Sequence, residues 1–302
     1  MRTHAFLLVL AIAAGQAAPQ RFRSGVEVVT VDALVTEDGR ALSGLKADDF
    51  VLRDNGVVQD IDGVAVDDAP VSMLLALDTS NSVEGPTLDR LKQAAIAAVD
   101  ALTPADHAAV MTFADAVTLR AGWAPPAAET RAAIAAADAG GSTSLYDAAY
   151  AALTLEDTVP GRRSYVLLFS DGGDTSSWLP ARALLERARR SDAVVYVVTR
   201  RTPRPDVRLE YRSGIELWPP TPREQSDGPA VVALAGLTGG HVFVVQSANE
   251  LRATFATIVS QFRNRYLLTY RPRGVDAGGW HAIDVKVSKG QATVTARRGY
   301  AR

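Results

Sequence analysis

The sequence predicts an α/β protein, a doubly wound and mostly parallel sheet with a small β-sandwich formed by the two flanks of the chain. Three observations carry this. From Val71 onward, apolar runs alternate with stripes of helical spacing, the rhythm of a parallel sheet with crossover helices. Residues 26–66 are β-rich and punctuated by turn signals. The tail alternates apolar and polar residues at period two.

The chain opens on an export signal over residues 1–18. Arg2 gives a positive start, Ala5 to Ala14 form an apolar run, and Gly15-Gln16-Ala17 supplies small residues for cleavage. An apolar run of ten residues falls well short of the about 20 that span a bilayer, so removal is expected rather than anchoring. No later stretch is long and apolar enough to cross a membrane. The expected location is secreted, periplasmic or cell-envelope. The chain has no cysteine, which excludes disulfides, thiolate metal sites and lipobox attachment. Stability must come from the core, and 47% hydrophobic residues over 302 positions are enough to build one.

Residues 24–69 form the first β segment. Val26 to Val35 and Phe50-Val51-Leu52 read as strands, with hairpin turns at Asp38-Gly39 and Asn55-Gly56. The α/β domain is expected over 70–264. Val71 to Leu77 is an apolar run broken only by Ser72, as in a strand covered on both faces, and Ala108 to Phe113, Tyr165 to Phe169 and Ala193 to Thr199 are further buried strands. Pro86 suits a first helical turn, and Leu88, Leu91, Ala95, Val99 and Leu102 follow at helical spacing. Further helical patterns cover 127–138, 145–155 and 179–190. Val242 to Val245 is another strand. Ser247 and Glu250 make a capping box before a helix bearing Leu251, Phe255, Ile258 and Phe262. Residues 200–229, with six prolines and no periodicity, read as a surface insertion. In 265–302, Ile283, Val285 and Val287 alternate, Lys289-Gly290 turns, and Ala292, Val294 and Ala296 alternate again. A lone hairpin is marginal in water, so these strands are expected to join those of 24–69.

Three loops carry the chemistry: Asp78-Thr79-Ser80-Asn81-Ser82, Gly140-Gly141-Ser142-Thr143-Ser144 and Ser170-Asp171-Gly172-Gly173. The first and third follow buried strands, where open α/β sheets bind ligands. Asp78, Ser80, Ser82, Thr143 and Asp171 together offer two carboxylates and three hydroxyls. That all-oxygen set suits Mg²⁺, a hard ion that takes about six oxygens and keeps several waters.

This ordered pattern resembles the von Willebrand factor type A family over roughly residues 70–262. The family's metal-ion-dependent adhesion site is Asp-x-Ser-x-Ser, a Thr in a Gly-rich loop, then Asp-Gly. The flanking β segments look like a bacterial secreted subfamily. The resemblance implies a non-enzymatic binding module holding Mg²⁺ (or Mn²⁺ or Ca²⁺). Ser80, Ser82 and Thr143 would bind directly and Asp78 and Asp171 largely through water. It also implies a protein partner whose Asp or Glu completes the shell. Two carboxylates only neutralise the ion, so a further anion is not repelled.

Each residue has a plainer reading. Asp78 and Asp171-Gly172 suit loops, Ser80 and Ser82 suit turns, and Thr143 suits the N-cap of the helix at Leu145. Asp174 reads as a solvated loop acid, and His4, His107, His241 and His281 as structural or surface residues. A nucleic-acid partner is not expected, because the 32 basic residues form no cluster and the net charge is −2. Asp-Thr-Ser after an apolar run also suits an aspartic protease, but that class needs a second such motif. A metal-dependent hydrolase using the same site is the enzymatic alternative, and it lacks a histidine base in these loops. A sandwich with a degenerate site is a third reading, against which the five intact positions stand.

Overall fold

The computed structural model describes residues 28–66, 70–156, 158, 162–171, 173–200, 227–288 and 291–301. The expected export signal, most of the expected insertion, Gly172 and the expected Lys289-Gly290 turn lie outside them.

Six strands form the central sheet: β6 (Val71–Asp78), β7 (His107–Phe113), β8 (Val117–Ala124), β9 (Arg163–Ser170), β10 (Val194–Thr199) and β11 (Val242–Val244). Their order is β11-β10-β9-β6-β7-β8. Every neighbour pair is parallel except β7 with the edge strand β8. Strand β6 is buried along its whole length, which explains its apolar run, broken only by Ser72 before the closing Asp78. Alternate residues serve different cores. Met73, Leu75 and Leu77 pack with α1 (Pro86–Asp100) and α6 (Leu251–Arg263), while Leu74 and Ala76 pack with α3 (Leu145–Glu156), α4 (Ala181–Ala188) and α5 (Asp227–Thr238). Helices therefore cover both faces. The short α2 (Ala128–Ala135) buries Ile134 beside α1. Phe262 of α6 stacks on Tyr165 with ring centroids 4.1 Å apart. Burying one such side chain contributes about 1.5–3 kcal/mol.

The flanks pair with each other. One sheet runs β14-β1-β12-β5, from β14 (Thr293–Ala296), β1 (Val29–Glu37), β12 (Arg265–Tyr270) and β5 (Ile61–Val66), with β2 (Arg40–Ala41) hairpinned onto β1. The other runs β15-β13-β3-β4, from β15 (Gly299–Ala301), β13 (Trp280–Val287), β3 (Phe50–Asp54) and β4 (Val57–Gln59). Val31, Phe50, Leu52, Tyr266, Leu268 and Ile283 from both sheets share one core. Both predicted hairpin turns form. Asp38 and Gly39 have φ of 49° and 75°, and Asn55 and Gly56 have 46° and 82°, the pair of left-handed residues a tight hairpin needs.

Asp32 ties the flanks to the central sheet. Its carboxylate meets Arg163 of β9 at 2.8 Å and the fully buried Arg265 of β12. Arg265 also donates to the Tyr196 hydroxyl of β10 at 2.8 Å. Burial alone would raise the Asp32 pKa, but the two guanidinium groups outweigh it and hold the carboxyl below its usual range.

Several elements escape the sequence pattern. Strand β8 is an edge strand with little burial, so its residues carry no clean alternation. Helix α5 begins at Asp227, inside the expected 200–229 insertion. Its Pro229 sits in the first turn, where a missing N–H costs nothing, and its Ala, Val and Leu residues show no polar stripe. The capping box at Ser247 does not form. The Ser247 hydroxyl donates to the Glu250 carboxylate at 3.2 Å, and a 3₁₀ turn over Ala248–Glu250 leads into α6.

Candidate metal site

The carboxyl ends of β6 and β9 lie side by side, Leu77 opposite Phe169, so Asp78 and Asp171 leave the sheet at neighbouring points. Hydrogen bonds then join the three loops in pairs. Ser82 Oγ donates to Asp171 Oδ1 at 2.6 Å, joining the first loop to the third. Gly140 N–H donates to Thr79 O at 2.8 Å and Asn81 N–H to Gly141 O at 3.0 Å, joining the first to the second. Thr143 N–H donates to Thr175 Oγ1 at 2.8 Å, and Thr175 N–H returns to Thr143 O at 2.9 Å, closing the ring.

Within the ring, Ser80 Oγ and Ser82 Oγ are 3.0 Å apart. Asp78 is 0% exposed, its Oδ1 accepting the Ser80 N–H at 2.8 Å and its Oδ2 the Ser170 hydroxyl at 2.6 Å. Burial pushes its carboxyl above the usual range, and the nearby Asp171 charge adds to this while the Ser170 and Ser80 bonds oppose it. A bound cation would offset both the burial and the Asp171 repulsion. The Thr143 side chain is buried, and its hydroxyl makes no hydrogen bond among the described residues. No three His, Cys, Asp or Glu side chains cluster as a metal site among the described residues. A cation held here would therefore take hydroxyl oxygens beside the two carboxylates, and the hard, all-oxygen donor set fits that.

Supporting residues surround these five. Gly141 has φ of 83°, and a Cβ there would lie 2.3 Å from the Asp115 carboxylate. Asp115 Oδ1 accepts the Ser142 N–H at 2.8 Å, holding the loop that presents Thr143. The first N–H groups of α3 are capped from across the loop. Ser177 Oγ accepts from Tyr146 at 3.0 Å and Asp147 at 3.1 Å, and Asp174 Oδ1 from Tyr146 at 3.3 Å. That corrects two readings. Asp174 is a half-buried cap rather than a solvated acid, with burial raising its pKa against these bonds, and Thr143 is not the side-chain cap. Arg200, just beyond β10, places its guanidinium 3.6 Å from Asp171 Oδ2. Ser170 and Arg200 could have been found by asking which polar residues end the buried strands. Asp115 and Ser177 lie in loops without such a signal. His281 and His107 are structural. His281 is fully buried against Asp54, Nδ1 to Oδ1 2.8 Å, and His107 faces Arg162.

An α/β sheet with helices on both faces and an oxygen-rich loop ring at its carboxyl edge defines a class of ligand-binding domain. Residues 73–173 match the family model of the von Willebrand factor type A domain. Among solved structures, a von Willebrand factor type A protein from Catenulispora acidiphila is similar at 13% identity and TM-score 0.53, over 84% of this chain and 73% of that one. Proximal thread matrix protein 1 from the mussel byssus is similar at 17% identity and TM-score 0.52, over 69% of this chain and 50% of that one. A structure of the same mussel protein with a zinc-occupied MIDAS motif gives the same figures, 17% and 0.52. The chain thus spans about half the length of the mussel protein. No curated protein matches it. No helix among the described residues is long and apolar enough to cross a membrane.

Proposed function

We propose that the chain is an exported, non-enzymatic interaction module. Asp78, Ser80, Ser82, Thr143 and Asp171 would hold one divalent cation, and an acidic residue of a protein partner would complete its shell. The observation that carries this reading is the Ser82–Asp171 hydrogen bond of 2.6 Å, which brings the first and third loops to one point. We take the central sheet as doubly wound and the flanking sheets as a β-sandwich that supports it. When bound, the ion supplies positive charge and open coordination positions at an otherwise anionic rim. The protein's own residues do the rest: Ser170 and the Ser80 N–H orient Asp78, and Asp115 fixes the Thr143 loop. Trp178 stands 92% exposed on the segment following Asp171, its backbone N–H held by Asp147 Oδ2 at 2.9 Å. An exposed aromatic of this kind is a typical anchor for a partner surface.

The test is calorimetric titration of the chain with Mg²⁺, Mn²⁺ and Zn²⁺, beside Asp78→Ala and Asp171→Ala. One saturable site in the wild type, lost in both variants, is the expected result. Undiminished binding by the variants would reject the assignment.

A further inference from the structure

A second cleft opens at the other end of the central sheet, where β9 and β10 begin and the flanking sheets meet them. Its volume is about 550 Å³, within the range of small-molecule sites. Arg163 opens β9 and Asp171 follows its last residue, so the cleft and the metal loops are separated by about 23 Å of strand.

Five arginines line it: Arg162, Arg163, Arg189, Arg190 and Arg297. Two carboxylates, Asp32 and Asp192, face them, leaving a surplus of three positive charges in the lining. Both acids are already engaged, Asp32 by Arg163 and Arg265 and Asp192 by Arg297. Neither Arg162 nor Arg190 has a carboxylate partner among the described residues. A surplus of like charge in a concave, partly apolar site focuses the field and favours an anion there.

The guanidinium groups are also held in place. Arg162 donates to Ala105 O at 2.6 Å and meets His107 Nε2 at 3.2 Å. Arg189 lies over the Trp280 ring at 5.6 Å. Arg297 lies over the Tyr300 ring at 6.0 Å and donates to Gly299 O at 2.9 Å. Fixing the donors beforehand lowers the entropy lost on binding. Guanidinium forks match the paired oxygens of phosphate and carboxylate groups. Arg189 and Arg190 do offset the dipole at the end of α4, but that role does not require Arg162 and Arg297 to converge on the same hollow.

We propose that this cleft binds a small polyanion bearing two or more phosphate or carboxylate groups. The site is independent of the metal loops, so it is tested without divalent ions. The full chain, stripped on a chelating resin, is titrated calorimetrically at low ionic strength with inorganic pyrophosphate and with citrate. At least one probe is expected to saturate at one per chain. Tighter pyrophosphate binding assigns a phosphate ligand and tighter citrate binding a polycarboxylate. Arg190→Ala, which removes an exposed side chain, and Arg162→Ala should each weaken binding at least tenfold. Arg252→Ala, on the exposed face of α6, should not change it. Saturation by neither probe, unchanged affinity in Arg190→Ala and Arg162→Ala, or equal weakening in Arg252→Ala would each overturn the proposal.

Discussion

Ser82 and Asp171 are 89 residues apart in sequence, yet the serine hydroxyl lies 2.6 Å from the aspartate oxygen. Ser82 is exposed and contributes little to the core. Ser82→Ala should therefore leave stability within about 0.5 kcal/mol of the wild type. Divalent-ion affinity should fall at least about tenfold, since one hydroxyl oxygen is lost and the Asp171 carboxylate loses its donor. Denaturation and metal titration of the same preparation separate the two effects, and unchanged affinity would remove Ser82 from the site.

Gly141 is needed for both its conformation and its space. Its φ of 83° disfavours any side chain, and the Asp115 carboxylate occupies the place of a Cβ. Gly141→Ala should destabilise the fold by about 1–3 kcal/mol and weaken metal binding by displacing Thr143. Gly39→Ala, at a φ of 75° but with open space, should cost only about 1 kcal/mol and leave metal binding alone. Equal effects of the two on metal affinity would show that the Asp115 contact does not position the loop.

What the sequence revealed depended on how locally each feature is encoded. Strand β6 is legible because burial on both faces favours apolar residues, which fill every position from Val71 to Leu77 except Ser72, whose buried hydroxyl is bonded to Glu156 at 3.0 Å. Asp38-Gly39 and Asn55-Gly56 are legible because tight hairpins need two left-handed residues in a row. The five oxygen donors stand in three short motifs that can be read without any contact map. Helix α5 was not legible, since a helix apolar on every side has no period to detect. Strand β12 was also missed, because its central place in the flanking sheet comes from pairing with β1 and β5, far away in sequence. Asp174 looked like a loop acid because capping of α3 from another loop leaves no local trace.

Asp106 should make the fold acid-sensitive. Its Oδ1 accepts the Val71 N–H at 2.9 Å, and its Oδ2 accepts the Thr103 N–H at 2.6 Å and the Arg263 guanidinium. Burial would raise its pKa, but these donors together hold it below the usual carboxylate range. A depressed folded pKa means the stabilisation is fully present above the unfolded value and is lost as pH falls through the folded one. Asp106→Ala should cost about 3 kcal/mol at neutral pH. The gap between variant and wild type should narrow as pH drops below about 4. A gap constant down to pH 2 would show that the carboxylate charge is not what stabilises the start of β6.

Asp32 holds two buried guanidinium groups, so its loss should be costly out of proportion to its size. Asp32→Asn keeps the shape but removes the negative charge that Arg163 and the fully buried Arg265 share. A loss of about 3–5 kcal/mol in chemical denaturation is expected. Adding Arg265→Met should recover part of it, since an apolar side chain tolerates the buried position that an unpaired charge does not. A double variant less stable than Asp32→Asn would show that Arg265 is kept for its bonds to Tyr196 and Gly239 rather than for its pairing with Asp32.

Arg200 is placed to compete with a cation for Asp171. Its guanidinium lies 3.6 Å from Asp171 Oδ2 and also donates to Thr87 Oγ1 at 3.3 Å, so it is positioned without being buried. A positive side chain beside a cation site disfavours the incoming charge and occupies a carboxylate oxygen. At an exposed rim that repulsion is worth on the order of 1 kcal/mol, or about fivefold in affinity. Arg200→Ala should therefore bind Mg²⁺ about fivefold more tightly than the wild type at low ionic strength. The advantage should shrink in high salt, where exposed charges are screened. Arg200→Lys keeps the charge but not the fork, so an affinity near that of the wild type would assign the effect to electrostatics. An affinity matching Arg200→Ala would assign it instead to the guanidinium's occupation of Asp171. Weaker metal binding in Arg200→Ala would reverse the argument and show that the arginine helps to hold Asp171 in its binding position.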